Sequence, residues 1–186
     1  MIFESNTGPI FYEDHVSNGA PVVIFTHGAG LNSGMFNDQV TAFKENYRVI
    51  TWDMQGHGRS AALDKNLDVS QMADALIGIM SALQIDNAVL VGHSLGSWVN
   101  QLAAINYSER VIALANIGGE PIDKPVSGFE MLFYKIFLTV SRLMPAIFLY
   151  RWTAKSKTTT PGAGHNANMD NPEEFNRIPT EFMNNI

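Results

Sequence analysis

The pentapeptide Gly-His-Ser-Leu-Gly at residues 92–96 constrains the fold of this chain more than any other feature. A short apolar run containing β-branched residues precedes it at 87–91, and residues 97–105 after it have helical character. This order predicts a strand, a sharp turn and a helix. Side chains at the two ends of the pentapeptide would collide in such a turn, which accounts for both glycines. The turn would raise the Ser94 hydroxyl above the sheet and leave the Leu95 amide at the start of the helix.

The rest of the chain repeats the alternation of strand and helix. We expect strands at residues 8–14, 21–26, 47–52, 87–91 and 110–117, and helices at 36–45, 70–83 and 97–105. Ser70 is expected to cap the amino end of its helix, in which apolar residues recur at helical spacing. Apolar strands alternating with helices predict an α/β fold, a mostly parallel sheet with helices on both faces. Ligands bind at the carboxyl ends of the strands in such sheets.

Composition narrows the class of protein. The chain has 186 residues, enough for one domain with a sizeable core, and we expect a single domain over 1–186. The net charge of −6 argues against binding to nucleic acid or to an anionic membrane surface. Because the chain has no cysteine, disulfides and thiolate chemistry are excluded. Residues 1–6 lack the basic and apolar regions of a signal peptide, so a cytoplasmic location is expected.

One segment is apolar enough to be compared with a membrane span. Residues 129–152 are rich in Phe, Leu and Ile, but four charged residues and Pro145 interrupt them. A span requires about twenty apolar residues with few or no charges. The segment therefore predicts two helices and no membrane span.

Four motifs follow one another along the chain in a recognisable order. They are His-Gly-Ala-Gly at 27–30, Asp-Met-Gln-Gly-His-Gly-Arg-Ser at 53–60, the pentapeptide at 92–96 and Gly-Ala-Gly-His at 162–165. Together they resemble the α/β-hydrolase fold superfamily, in the branch of single-domain serine esterases, lipases and C–C bond hydrolases. The resemblance runs from about residue 8 to the end of the chain. It implies a helical cap segment within the domain, at residues 125–157, and chemistry without a metal or an organic cofactor.

The resemblance also implies a role for individual residues. Ser94 corresponds to the nucleophile, and the amides of Ala29 and Leu95 to the oxyanion hole. His165 corresponds to the general base, which takes the proton of Ser94 and returns it to the leaving group.

The motif at 53–60 is expected to be structural. Asp53 and Arg59 would tie this loop down, and His57 would be a hydrogen-bonded loop histidine. The same structural interpretation applies to two further histidines, His27 and His93.

The chain departs from the family between residues 151 and 162. No apolar β-branched run there matches the family's last two strands, so the chain is expected to lack that region and the usual catalytic acid. Two carboxylates after the strand at 110–117 are the substitutes, Asp123 first and Glu120 second. A sheet that ends at this strand would leave an open edge, through which a homodimer could form.

Two functions of different classes follow from these observations. The first is hydrolysis of a small to medium carboxylic ester through an acyl-enzyme on Ser94, with a small-molecule ester as substrate. The second is a catalytically weak or inactive hydrolase-fold protein, either a truncated variant or a ligand-binding relative. C–C bond hydrolysis and perhydrolysis would use the same residues, and the sequence does not separate them from ester hydrolysis.

Overall fold

A six-stranded sheet organises the protein. The computed structural model describes residues 1–16, 19–60, 68–119, 121–122 and 167–183. Its strands are β1 Ile2–Ser5, β2 Gly8–His15, β3 Val22–Thr26, β4 Arg48–Trp52, β5 Ala88–His93 and β6 Val111–Ile117. They lie in the order β1-β2-β4-β3-β5-β6; β4, β3, β5 and β6 run parallel, whereas β1 and β2 are antiparallel to their neighbours. The predicted α/β class is confirmed.

Helices connect the strands. They are α1 Asn37–Phe43, α2 Val69–Ala82, α3 Leu95–Asn106, α4 Ala167–Asp170 and α5 Pro172–Met183, with 3₁₀ turns at Ser33–Phe36 and Ser108–Arg110. The expected cap of α2 was wrong. The cap is Asp68, whose carboxylate accepts from the Gln71 amide at 2.9 Å while the Gln71 side chain accepts from the Asp68 amide at 3.1 Å. This reciprocal capping box starts the helix at Val69, which places Ser70 inside the first turn.

The core lies on both faces of the sheet because alternate residues of each strand point to opposite sides. On β3, Ile24 packs in the cluster that contains α2 and α3, whereas Val23 and Phe25 pack in the cluster that contains α1 and Phe175 of α5. The predicted covering of both faces by helices is therefore observed. Strand β1 was not predicted, because it is a four-residue edge strand whose side chains are only half-buried or exposed.

Several sequence predictions fall outside the described residues. These are the helical cap segment at 125–157, the apolar stretch at 129–152 and the strand-free segment between 151 and 162. Within the described ranges, no helix is both long and apolar enough to cross a membrane. Strand β6 is an edge of the described sheet, and dimerisation through it stays a prediction.

A paired guanidinium and carboxylate join the antiparallel strand to the parallel sheet. On β4, Arg48 donates from Nε and Nη2 to the two carboxylate oxygens of Asp14 on β2, at 3.1 and 2.7 Å. The Asp14 side chain is only 5% exposed. A two-point contact with a buried carboxylate is geometrically specific and stronger than a neutral hydrogen bond.

We expect Asp14→Ala to lower the free energy of unfolding by about 1–3 kcal/mol, because it leaves the Arg48 guanidinium without its carboxylate. Arg48→Lys should cost about 1 kcal/mol, since an ammonium cannot form the two parallel bonds. Urea unfolding measures both. Arg177→Lys, in the exposed Arg177–Glu174 pair, is the control and should leave stability unchanged. An equal loss in the control would show that the Asp14–Arg48 contact is an ordinary surface pair.

Candidate active site

Ser94 holds a strained backbone conformation between β5 and α3. Its φ is 50° and its ψ is −113°, and among the described residues only one other non-glycine residue, Gln84, has a positive φ. Two backbone hydrogen bonds hold this conformation: the Ser94 amide donates to Ile117 O at 2.8 Å, and its carbonyl accepts from the Ser97 amide at 3.0 Å. The residue is partly exposed. Such strain persists only where the surroundings fix it, and it is concentrated at functional sites.

Both glycines of the pentapeptide are required by close backbone contacts. A Cβ on Gly92 would lie 2.5 Å from the carbonyl oxygen of Gly96, and a Cβ on Gly96 would collide with the carbonyl oxygen of Thr26 on β3. Ser97 Oγ also donates to Gly92 O at 2.6 Å. The predicted collision of side chains at these two positions is thus confirmed.

The turn after β3 lies against Ser94. Gly28 is buried, and a Cβ there would collide with the His93 ring and lie 3.3 Å from the Ser94 Cβ. The Leu31 amide donates to Gly28 O at 3.2 Å, and Gly30 takes φ 73° at the third position of this turn. Ala29, at the second position, is exposed.

The amides of Ala29 and Leu95 belong to the two segments that meet where Gly28 lies against Ser94. Within the described part of the chain, neither amide donates to another residue. Leu95 is the first residue of α3, where backbone N–H groups have no partner inside the helix. Backbone N–H groups at the start of a helix favour negative charge.

His27 is a neutral structural residue. Its Nε2 accepts from the Met54 amide at 2.9 Å, which leaves Nδ1 to donate to Gly28 O at 2.8 Å. The pKa of His27 is lowered to about 4, mainly by burial and also by the neighbouring His57. Because both ring nitrogens are occupied, His27 has no lone pair left for Ser94. These bonds agree with the structural interpretation of His27 made from the sequence.

The loop after β4 is held by a buried carboxylate. Asp53 accepts from the amides of Ser33 and Arg59, each at 2.8 Å, and from Arg59 Nε at 3.3 Å. Burial by itself would raise the pKa of Asp53, but the hydrogen bonds from Ser33 and Arg59 outweigh it and keep that pKa below its usual value. The sequence prediction that Asp53 and Arg59 tie this loop down is confirmed. His57 Nδ1 lies 3.0 Å from Gln55 O in the same loop.

Two buried polar contacts were missed by the sequence analysis. The first contact is a network of three residues. Trp52 Nε1 donates to Thr26 Oγ1 at 3.0 Å, and Thr26 Oγ1 donates to Asn100 Oδ1 at 2.8 Å. These bonds hold α3 against β3 and β4. The second contact joins Asn168 of α4 to the Met35 carbonyl at 2.9 Å. Neither contact has a motif in the sequence, because each joins residues that are far apart along the chain.

The structure brings together three of the predicted site residues. Ser94, Leu95 and Ala29 lie at the carboxyl ends of β5 and β3, next to each other in the sheet. The other three, His165, Asp123 and Glu120, lie outside the described residues. Among the residues that are described, no group of three or more His, Asp or Glu side chains could hold a metal ion.

Comparison with known families agrees with this geometry. The model of the alpha/beta hydrolase family matches residues 23–155, which include β3 to β6 and the turn at Ser94. The chain belongs to the alpha/beta hydrolase family.

Individual relatives are similar over about half of the chain. A bifunctional esterase/perhydrolase of Acinetobacter calcoaceticus is 40% identical over 88 residues, which are 47% of this chain and 32% of that protein. The 3-oxoadipate enol-lactonase 1 of Acinetobacter baylyi is 36% identical over 77 residues, 41% of this chain and 29% of that enzyme. The solved structure of an esterase from Thermogutta terrifontis has a TM-score of 0.62 at 26% identity, covering 69% of this chain and 48% of that chain. The chain thus matches about a third of the length of these two relatives and about half of that esterase.

The low pKa of His27 predicts a specific pH dependence of stability. Below about pH 6.5 the unfolded chain takes up a proton at His27, whereas the folded chain does so only near the lowered pKa of about 4. The free energy of unfolding therefore falls as the pH drops from 6.5 to about 4, by roughly 3 kcal/mol from this residue. In urea unfolding at several pH values, His27→Gln should lose that part of the slope and His15→Gln should keep it. Parallel pH profiles for the protein and His27→Gln would contradict the assignment.

Proposed function

We propose that the protein is a serine hydrolase that cleaves small to medium carboxylic esters through an acyl-enzyme on Ser94. The observation that carries the proposal is the strained, partly exposed Ser94 at the carboxyl end of a parallel strand, with the Leu95 amide beside it. A glycine would adopt φ 50° without strain, so the presence of a serine at this position supports a chemical role for its hydroxyl.

The residues support a two-step acyl transfer. Ser94 Oγ attacks the ester carbonyl and gives its proton to a base, while the carbonyl oxygen gains negative charge that the Leu95 and Ala29 amides stabilise. The tetrahedral intermediate then expels the alcohol, which takes the proton from the base. Water attacks the acyl-enzyme in the same manner, and the acid leaves with Ser94 restored. A single oxyanion donor typically contributes about 3–4 kcal/mol of transition-state stabilisation.

His165 is the proposed base. The Gly-Ala-Gly-His motif at 162–165 and the exclusion of His27, whose ring nitrogens both have partners, support this assignment. A base with one free imidazole nitrogen would act near neutral pH without a large change of its pKa.

Relatives favour ester-type substrates. Two of the similar proteins are named as an esterase/perhydrolase and an enol-lactonase, and lactones are cyclic esters. This chemistry requires only the serine, the base and the two amides, so no cofactor is proposed.

Covalent labelling tests the nucleophile. A fluorophosphonate probe should label the folded protein at Ser94, and Ser94→Ala should abolish both labelling and hydrolysis of p-nitrophenyl butyrate. Ser108→Ala is the matched control: it removes an exposed serine at the opposite end of α3, and labelling should be unchanged. Peptide mapping by mass spectrometry identifies the modified residue.

Two results of this experiment would overturn the proposal. Labelling of a serine other than Ser94 would move the nucleophile elsewhere. A folded protein that neither reacts with the probe nor hydrolyses the ester would instead favour the catalytically inactive alternative.

We further propose Asp123 as the acid that orients His165, with Glu120 as the alternative. Asp123→Asn should slow acylation by up to about 10⁴-fold, because an imidazole without its carboxylate loses its tautomer and orientation. Glu120→Gln is the matched control and should change the rate little. Single-turnover burst kinetics measure acylation, and the thermal midpoint reports stability, which should change little in either variant. The reverse pattern would assign the role to Glu120.

A further inference from the structure

Ser97 forms hydrogen bonds to both sides of the turn that carries Ser94. On the helix side, the Ser97 amide donates to the Ser94 carbonyl at 3.0 Å. On the strand side, Ser97 Oγ donates to Gly92 O at 2.6 Å, which is short for a bond from a hydroxyl to an oxygen acceptor. Ser97 is fully buried. A single residue thus ties the end of β5 to the first turn of α3.

The backbone of Ser94 requires such support. Its φ of 50° and ψ of −113° are close to those of the first central residue in a type II′ turn, a position that glycine usually occupies. A residue with a Cβ keeps this conformation only where the surrounding structure over-determines it. Because the direction of the Cα–Cβ bond follows from the backbone, relaxation of the turn would also redirect the hydroxyl. The two bonds of Ser97 therefore act on the orientation of the Ser94 side chain.

The segment after β6 encloses the Ser97 side chain from the other side. A Cβ on Gly119 would collide with Ser97 Cβ and Oγ, and it would lie 3.4 Å from the Ser94 carbonyl oxygen. The end of β6 also holds the turn directly, since Ile117 O accepts from the Ser94 amide at 2.8 Å. Ser97 is thus confined between the turn and residue 119, which restricts where its hydroxyl can point.

Packing alone does not require a hydroxyl at position 97. An alanine there would fill most of the same space, and alanine has a higher helix propensity than serine. What the hydroxyl adds is a directional bond to Gly92 O, and such a bond fixes an angle that apolar contacts leave open.

We propose that Ser97 is a positioning residue for the nucleophile, and that its bonds to Gly92 O and Ser94 O hold the strained turn in the conformation that presents the Ser94 hydroxyl. Gly119 belongs to the same arrangement, because a Cβ there would displace the Ser97 side chain. The inference rests on the proposed function in one respect, the role of Ser94 as the nucleophile.

Removal of the hydroxyl should slow the chemistry more than it lowers stability. Ser97→Ala should reduce kcat for p-nitrophenyl butyrate and the rate of fluorophosphonate labelling by about 10- to 100-fold, because displacement of a catalytic group by about 1 Å costs up to that factor. KM and the thermal midpoint should change little. Ser81→Ala is the matched control: Ser81 Oγ donates to a carbonyl of its own helix α2, Ile77 O, at 2.9 Å. Its two rates should equal those of the unaltered protein.

Gly119 gives a second way to break the same bond. Gly119→Ala retains the Ser97 hydroxyl but pushes it away from Gly92 O, so a similar fall in labelling is expected. Ser97→Gly removes both atoms with which the new Cβ collides, and the double variant should therefore label as fast as Ser97→Gly alone. This comparison tests the proposal even where Ser97→Ala does not fold. Additive falls in the double variant would contradict the proposal.

A thiol at position 94 reports the turn without any catalysis. Because the chain has no cysteine, Ser94→Cys introduces a unique thiol at the start of α3, where a thiolate is stabilised. The pH midpoint of thiolate formation, followed by ultraviolet absorbance, should lie below that of free cysteine. Adding Ser97→Ala should raise this midpoint by about 0.5 pH units, the size of an interaction with a helix N-terminus. Adding Ser81→Ala should not change it.

Each outcome decides the proposal. An unchanged thiolate midpoint after Ser97→Ala overturns the positioning role, as does an equal fall of kcat in Ser81→Ala. Labelling at Ser94 that proceeds equally fast with and without the Ser97 hydroxyl supports the proposed function and refutes this inference. A midpoint that depends on Ser97, in a protein whose Ser94 does not react with a fluorophosphonate, supports the positioning of the turn and refutes the proposed function. The two claims are therefore tested independently.

Discussion

The close approach of α3 to β3 is the contact on which the candidate site depends. At Gly96 the backbone of the helix lies directly against the Thr26 carbonyl, with no room for a Cβ. This approach places the start of α3 over the end of β3, so that the Leu95 amide and the turn at Gly28 and Ala29 share one edge of the sheet. Any larger residue at position 96 would push the start of the helix away from the end of β3. Backbone packing, more than any side-chain contact, thus sets the geometry around Ser94.

Buried polar residues hold the loops around this packed centre. His27 bridges the turn after β3 and the loop after β4, and it does so in the neutral form because burial disfavours an imidazolium. Asp53 instead remains charged, since the amides of Ser33 and Arg59 replace its lost hydration. Both residues therefore support a loop at the carboxyl edge of the sheet, His27 in its neutral form and Asp53 in its charged form.

The match to the alpha/beta hydrolase family ends at residue 155, whereas the described carboxyl-terminal segment begins at residue 167. This segment is nevertheless built into the fold, through Phe175 in the apolar cluster and Asn168 at the Met35 carbonyl. Burial of Phe175 stabilises the packing of this segment without a preferred direction. The hydrogen bond of Asn168 is directional and fixes the orientation of the segment.

The sequence by itself determined the parallel strands and the turn at Ser94. Runs of buried apolar residues predict β3, β5 and β6 to within one or two residues, and the two glycines at 92 and 96 follow from local sterics. Tertiary structure alone decided the neutral state of His27 and the hydrogen bonds between Asn168 and Gln39. A ring tautomer depends on partners that the fold supplies, here Met54, 27 residues away along the chain. The hydrogen bonds of Asn168 and Gln39 join residues 129 positions apart, and no local pattern specifies which buried carboxamides will meet.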